Sequence, residues 1–92
     1  MELAEIKAKI RAYILESFLY GGSDDAVADD DSFLEKGIID STGILELVGF
    51  IEETFSVKVA DEELIPENMD SINKLGYFIT GKSVGVQNVS GV

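Results

Sequence analysis

The sequence predicts an all-α protein: one domain, a bundle of three longer helices plus one short helix, with a long first loop. Three observations carry this. Apolar residues recur every three to four positions in three separate segments, the spacing that lines one face of a helix. Residues suited to starting or stopping a helix stand at the ends of those segments. Only Val57-Lys58-Val59 alternates as a strand would, and a lone short strand has no partner, so this stretch reads as loop.

In the first segment Leu3, Ile6, Ile10, Ile14 and Phe18 form the stripe. A helix is expected over residues 2–20, stopped by Gly21-Gly22. Its charges, Glu2, Glu5, Lys7, Lys9 and Arg11, read as a solvated face with pairing along the helix. Residues 21–40 form a long connection, and loops of that length need an anchor. Phe33, Leu34, Ile38 and Ile39 are apolar enough to pin it to a core, and Asp31 or Ser32 is suited to capping one short turn. The second helix is expected over residues 41–54, with Ile44, Leu47, Val48, Ile51 and Phe55 facing inward. A short third helix covers residues 61–64, and Pro66 blocks its continuation. Asp70 or Ser71 caps a fourth helix through Thr80, with Ile72, Leu75 and Ile79 on one side and Gly81 at its end. Residues 81–92 mix Gly, Ser, Val and Asn without a period and read as a flexible C-terminal tail, leaving residues 1–80 as the domain.

Composition narrows the function. Ninety-two residues, 46% of them hydrophobic, allow one domain with a modest core. The absence of cysteine excludes disulfides and thiolate metal sites. No apolar run approaches the ~18 residues of a transmembrane helix, and the start Met1-Glu2-Leu3-Ala4-Glu5 lacks the basic, apolar pattern of a signal peptide. A cytoplasmic monomer is expected. The net charge of −11 argues against nucleic acid, which needs clustered Lys and Arg. Residues 40–70 hold nine acidic residues and one basic residue, Lys58. That balance favours basic partners. Asp24, Asp25, Asp29, Asp30 and Asp31 invite a calcium reading. Counted from Asp24, however, the sixth position of the calcium loop holds Asp29 where the pattern needs glycine. No dedicated metal site is expected.

The chemistry concentrates at Gly37-Ile38-Ile39-Asp40-Ser41-Thr42-Gly43-Ile44-Leu45, where an apolar loop gives way to the second helix. Asp40 and Ser41 are both good N-cap residues. Ser41 then stands at the positive end of a helix dipole, which favours a phosphate-bearing group nearby. With no His and no Cys in the chain, no Ser-His-Asp or Cys-His arrangement is available, and Lys36 is the only nearby base in sequence. The G-x-S-x-G elbow also fails, because Ile39 holds its first glycine position. Ser41 reads as a serine that is modified rather than one that attacks. Local sequence leaves a second reading open, in which Ser41 only caps the helix.

Asp40-Ser41, then Leu45-Glu46-Leu47-Val48 and Ile51-Glu52-Glu53-Thr54-Phe55, resembles the acyl carrier protein family. The resemblance extends to Asp31-Ser32-Phe33-Leu34-Glu35-Lys36-Gly37 upstream and to Val57-Lys58-Val59-Ala60-Asp61-Glu62-Glu63-Leu64 downstream, so it covers about residues 1–80. It implies that Ser41, preceded by Asp40, receives a 4′-phosphopantetheine arm through a phosphodiester. It implies no catalysis: a free-standing carrier holds acyl or aminoacyl cargo as a thioester and presents it to partner enzymes. Thr42 and Gly43 depart from the fatty-acid type, which usually has leucine and then a polar residue there, and bring the motif closer to D-alanyl and other specialised carriers. Thr42, Leu45, Glu46, Gly49 and Glu53 share a second face of the helix beside Ser41. By resemblance this face docks a phosphopantetheinyl transferase and the cargo-loading or cargo-processing enzymes of lipid or secondary-metabolite biosynthesis, through their basic patches. Ile51, Phe55, Leu64, Ile72 and Leu75 are candidates for sheltering cargo, with plain core packing as the other reading. The competing function is a small acidic helical interaction module without a prosthetic group.

Overall fold

The structure, a computed structural model, describes residues 2–20 and 26–90. Among these residues it is all helical. Helix α1 spans Leu3–Ser17, α2 spans Ser41–Phe55, a 3₁₀ turn covers Asp61–Glu63, α3 spans Pro66–Met69 and α4 spans Ile72–Ser90. The expected stripes face one core. Ile6, Ile10 and Ile14 from α1, Leu47 and Ile51 from α2, and Ile72, Leu75 and Ile79 from α4 are each at most 2% exposed. The long connection joins that core through Val27, Phe33 and Ile39. Helix α4 packs against α1 and α3. A Cβ on Gly76 would lie 2.9 Å from Leu3 Cδ1 and 3.0 Å from Lys7 Cγ, so α1 side chains lie directly over α4 at this glycine.

The boundaries correct the sequence reading in three places. Helix α1 ends at Ser17, not residue 20. The Phe18 and Leu19 N–H groups both turn back to the Ile14 carbonyl, at 2.9 and 3.1 Å, and Tyr20 is left-handed with φ of 52°. Gly21-Gly22, the expected stop, lies outside the described residues. Pro66 begins α3 instead of merely blocking a helix, because a first-turn N–H has no helical partner to lose. Of the two expected caps of α4, Ser71 serves: its Oγ accepts the Lys74 N–H at 3.1 Å. Finally, α4 does not stop at Gly81 but continues to Ser90. A single interior glycine costs about 1 kcal/mol against alanine, and no proline follows it. Residues 91–92 of the expected tail lie outside the described residues.

The loop charges are also arranged differently from expectation. Lys7 Nζ lies 2.7 Å from Asp29 Oδ2, and Arg11 donates to Asp29 Oδ1 and to the Val27 carbonyl. These cations therefore staple the first loop to α1 rather than pairing along the helix. Asn73 of α4 joins the same staple, its N–H donating to the Asp29 carbonyl at 2.9 Å and its side chain to Asp30.

Candidate functional site

Asp40 is the residue that caps α2. Its Oδ1 accepts the Gly43 N–H at 2.7 Å, and its carbonyl accepts the Ile44 N–H at 3.0 Å. Ser41 is therefore the first helical residue rather than the cap, and it is exposed. Its neighbours fix that exposure. Ile39 on one side is 1% exposed. Gly43 on the other is buried, and a Cβ there would lie 2.8 Å from Ile39 Cγ2 and 3.0 Å from Phe18 Cε1. The chain is anchored immediately before and after Ser41, so the hydroxyl projects outward from a fixed backbone. First-turn N–H groups have no partner within a helix, and the dipole leaves partial positive charge there.

Beside Ser41 lies an open groove of about 260 Å³, walled by Leu34 of the first loop, Ile44 and Leu45 of α2, and Leu64, Ile65 and Met69 beyond the 3₁₀ turn. Leu34, Leu45 and Ile65 are among the most exposed large apolar side chains, at 46%, 60% and 41%. Asp70 also lines the groove and is 8% exposed. Its carboxylate accepts the Ser32 hydroxyl and the Leu34 N–H (3.0 Å), and its carbonyl accepts the Phe33 N–H at 3.0 Å. Asp70 thus ties the wall carrying Leu34 to the start of α4. Sequence reasoning offered Asp70 only as a cap.

Thr42, Leu45, Glu46, Gly49 and Glu53 are all exposed, on the face the helical period assigns them. Among the described residues a Cβ on Gly49 would meet no atom within 4 Å, so none of them requires glycine there. Glu52 is engaged inside the chain, its Oε2 accepting the Val59 N–H at 2.9 Å. This bond supports the turn after α2, where Ser56 is left-handed with φ of 55°. Of the proposed cargo-lining residues, Ile51, Ile72 and Leu75 are fully buried core, and Phe55 packs edge-on to Phe50 at 6.2 Å. Leu64 alone of that set reaches the groove by Ser41.

No family model matches the chain. It is similar to the D-alanyl carrier protein of Streptococcus sanguinis, 32% identical over 76 residues that cover 83% of this chain and 92% of that one. The chain belongs to the acyl carrier protein-like family. The D-alanyl carrier protein of Streptococcus gordonii is 31% identical over the same extent. Among solved structures, KstB-PCP in its apo form, a peptidyl carrier protein, superposes with a TM-score of 0.73 at 27% identity, covering 89% of this chain and 90% of that one. A chain in a crystal structure of an FAD-dependent dehydrogenase gives 0.67 at 28% identity, covering 76% and 97%.

As a member of a family of non-catalytic carriers, the chain is not an enzyme. Carriers of this family generally bear a phosphopantetheine group, and the residues present fit one. The exposed Ser41 hydroxyl offers the ester oxygen, the first turn of α2 favours the phosphate, and the apolar groove suits an aliphatic chain. Among the described residues no group of acidic side chains is arranged to hold a metal ion, and no helix is long and apolar enough to cross a membrane. Asp24 and Asp25 lie outside the described residues. The other loop aspartates are occupied by the protein. The Lys7 hydrogen bond and the nearby Lys7 and Arg11 charges hold Asp29 below the usual carboxylate range. The Ala28 N–H, followed by Lys36, does the same for Asp31. Glu63 is lowered by its bond to Lys82 and by the Ala60 N–H.

Proposed function

We propose that this carrier receives a 4′-phosphopantetheine arm on Ser41 and holds acyl or aminoacyl cargo on it as a thioester. Residues 1–80 form the attachment domain in this reading. The observation that carries it is the exposed serine at the first position of α2, behind the Asp40 cap and at the mouth of an apolar groove. In the transfer the Ser41 Oγ–phosphorus bond forms at the phosphopantetheine phosphate as the P–O bond of the coenzyme A pyrophosphate breaks, adenosine 3′,5′-bisphosphate leaves, and the serine proton passes to a base on the transferase. The carrier supplies the hydroxyl, a rigid helix start and a recognition surface. The terminal thiol of the arm provides the thioester chemistry, as in other group carriers. Thr42, Leu45, Glu46, Gly49 and Glu53 present that surface to the transferase and to cargo-handling enzymes with basic patches. Exposed acidic residues speed association with such partners more than they tighten the complex.

The experiment is intact-mass measurement after incubation with coenzyme A and a phosphopantetheinyl transferase. Wild type is expected to gain one arm and Ser41→Ala none. Because Asp40 is the cap, Ser41→Ala should melt within about 0.5 kcal/mol of wild type, as surface changes usually do. A wild type that gains no mass leaves the interaction module as the surviving reading.

A further inference from the structure

Between Val57 and Met69 no residue is buried. This stretch contains Leu64 and Ile65, two walls of the groove beside Ser41. The 3₁₀ turn that precedes them, Asp61–Glu63, puts no side chain into the core. Segments with so few buried contacts open at low free energy, so what holds them matters. Val59 and Leu64 rest against the core without being buried in it, the Glu52 carboxylate holds the Val59 N–H, and the other polar ties converge on Glu63. Its Oε1 accepts the Ala60 N–H at 2.8 Å, and its carbonyl accepts the Asn68 side-chain amide at 3.1 Å. The same Oε1 lies 2.7 Å from Lys82 Nζ, with both side chains 27% exposed. The Lys82 ammonium also stands 5.6 Å from the centre of the Phe78 ring, one turn earlier on α4.

Lys82 lies just past Gly81, so the pair exists only because α4 runs beyond the end expected from the sequence. We propose that Lys82 is a positioning residue: it clamps the Asp61–Glu63 turn to α4 and thereby sets the groove wall that a transferase meets when it loads Ser41. The loading half of this proposal rests on the attachment of the arm to Ser41; the clamp itself does not.

Two measurements test it on the full chain. The first is hydrogen exchange at the Glu63 and Leu64 amides, which close the turn by bonds of 2.9 and 3.1 Å to the Ala60 and Asp61 carbonyls. Lys82→Gln should speed their exchange about two- to fivefold, the range that a partly exposed ion pair supports. Lys82→Arg should restore it, and Lys74→Gln, an exposed change elsewhere on α4, should leave it unchanged. Glu63→Gln keeps an oxygen for Ala60 but removes the charge, and the double variant should exchange no faster than the faster single one. The second is arm transfer to Ser41, where Lys82→Gln should raise KM by a similar factor with kcat preserved, since the reacting hydroxyl is untouched. Unchanged exchange in Lys82→Gln, or additive effects in the double variant, would overturn the clamp. Unchanged KM alongside faster exchange would overturn its role in loading. If wild type accepts no arm, the attachment reading fails, and exchange still decides the clamp.

Discussion

Gly43 and Gly49 occupy the same helix, yet alanine at the two positions should act in opposite directions. An interior Gly→Ala change in a helix gains up to about 1 kcal/mol from backbone entropy and propensity. At Gly49 no atom of the described residues lies within 4 Å of the added methyl, so the gain should be realised. At Gly43 the methyl meets Ile39 Cγ2 at 2.8 Å and Phe18 Cε1 at 3.0 Å. Ile39 is 1% exposed, and its Cγ2 branches directly from Cβ, so it cannot swing clear without leaving its rotamer. Overpacking of this kind costs about 1–3 kcal/mol, which outweighs the propensity gain and leaves Gly43→Ala about 1 kcal/mol less stable than wild type. For a domain of this size about 1 kcal/mol moves the melting temperature by roughly 4–8 °C. Thermal and urea unfolding followed by circular dichroism should place Gly43→Ala below wild type and Gly49→Ala above it. A Gly43→Ala protein that melts at or above Gly49→Ala would refute the tight contact between the start of α2 and the end of α1.

Three further outcomes are expected. Leu47→Ala and Ile51→Ala, both fully buried, should each lose about 2–5 kcal/mol in urea unfolding; loss of neither would contradict the inward face of α2. Asp29 has a lowered pKa in the folded chain, chiefly through its Lys7 hydrogen bond, so its contribution is present above the ordinary carboxylate range and lost as pH falls through it. Asp29→Asn should therefore melt lower than wild type at neutral pH, with the gap closing below about pH 4; a constant gap would sink the ion-pair account. Glu46→Lys and Glu53→Lys should slow arm transfer mainly through association, and the defect should shrink with salt, whereas Glu5→Lys should do much less. Equal low-salt rates for all would remove that face from recognition.

The inward and outward faces of the helices were legible in the sequence because periodicity is a local property. Ile6, Ile10, Leu47, Ile51, Ile72 and Leu75 are buried as their spacing requires. The start of α2 was legible to within one residue, since Asp40 and Ser41 are both competent caps and only the bond to the Gly43 N–H distinguishes them. Helix ends were less legible, because contacts distant in sequence help decide them. The end of α1 turns where Phe18 packs against Gly43, and α4 passes Gly81 into the Lys82–Glu63 pair. The buried role of Asp70 and the stapling of Asp29 by Lys7 and Arg11 join residues up to 38 positions apart, which no local pattern records.

Attachment at Ser41 rather than at the adjacent hydroxyl of Thr42 can be decided on a single peptide. Cleavage after Lys36 and Lys58 releases residues 37–58, which carry Ser41, Thr42, Thr54 and Ser56. After incubation of the intact carrier with coenzyme A and a phosphopantetheinyl transferase, this peptide should gain one arm, and fragmentation should assign it to Ser41. An arm assigned to Thr42, or a peptide that stays unmodified under conditions that load another carrier protein, would contradict the assignment.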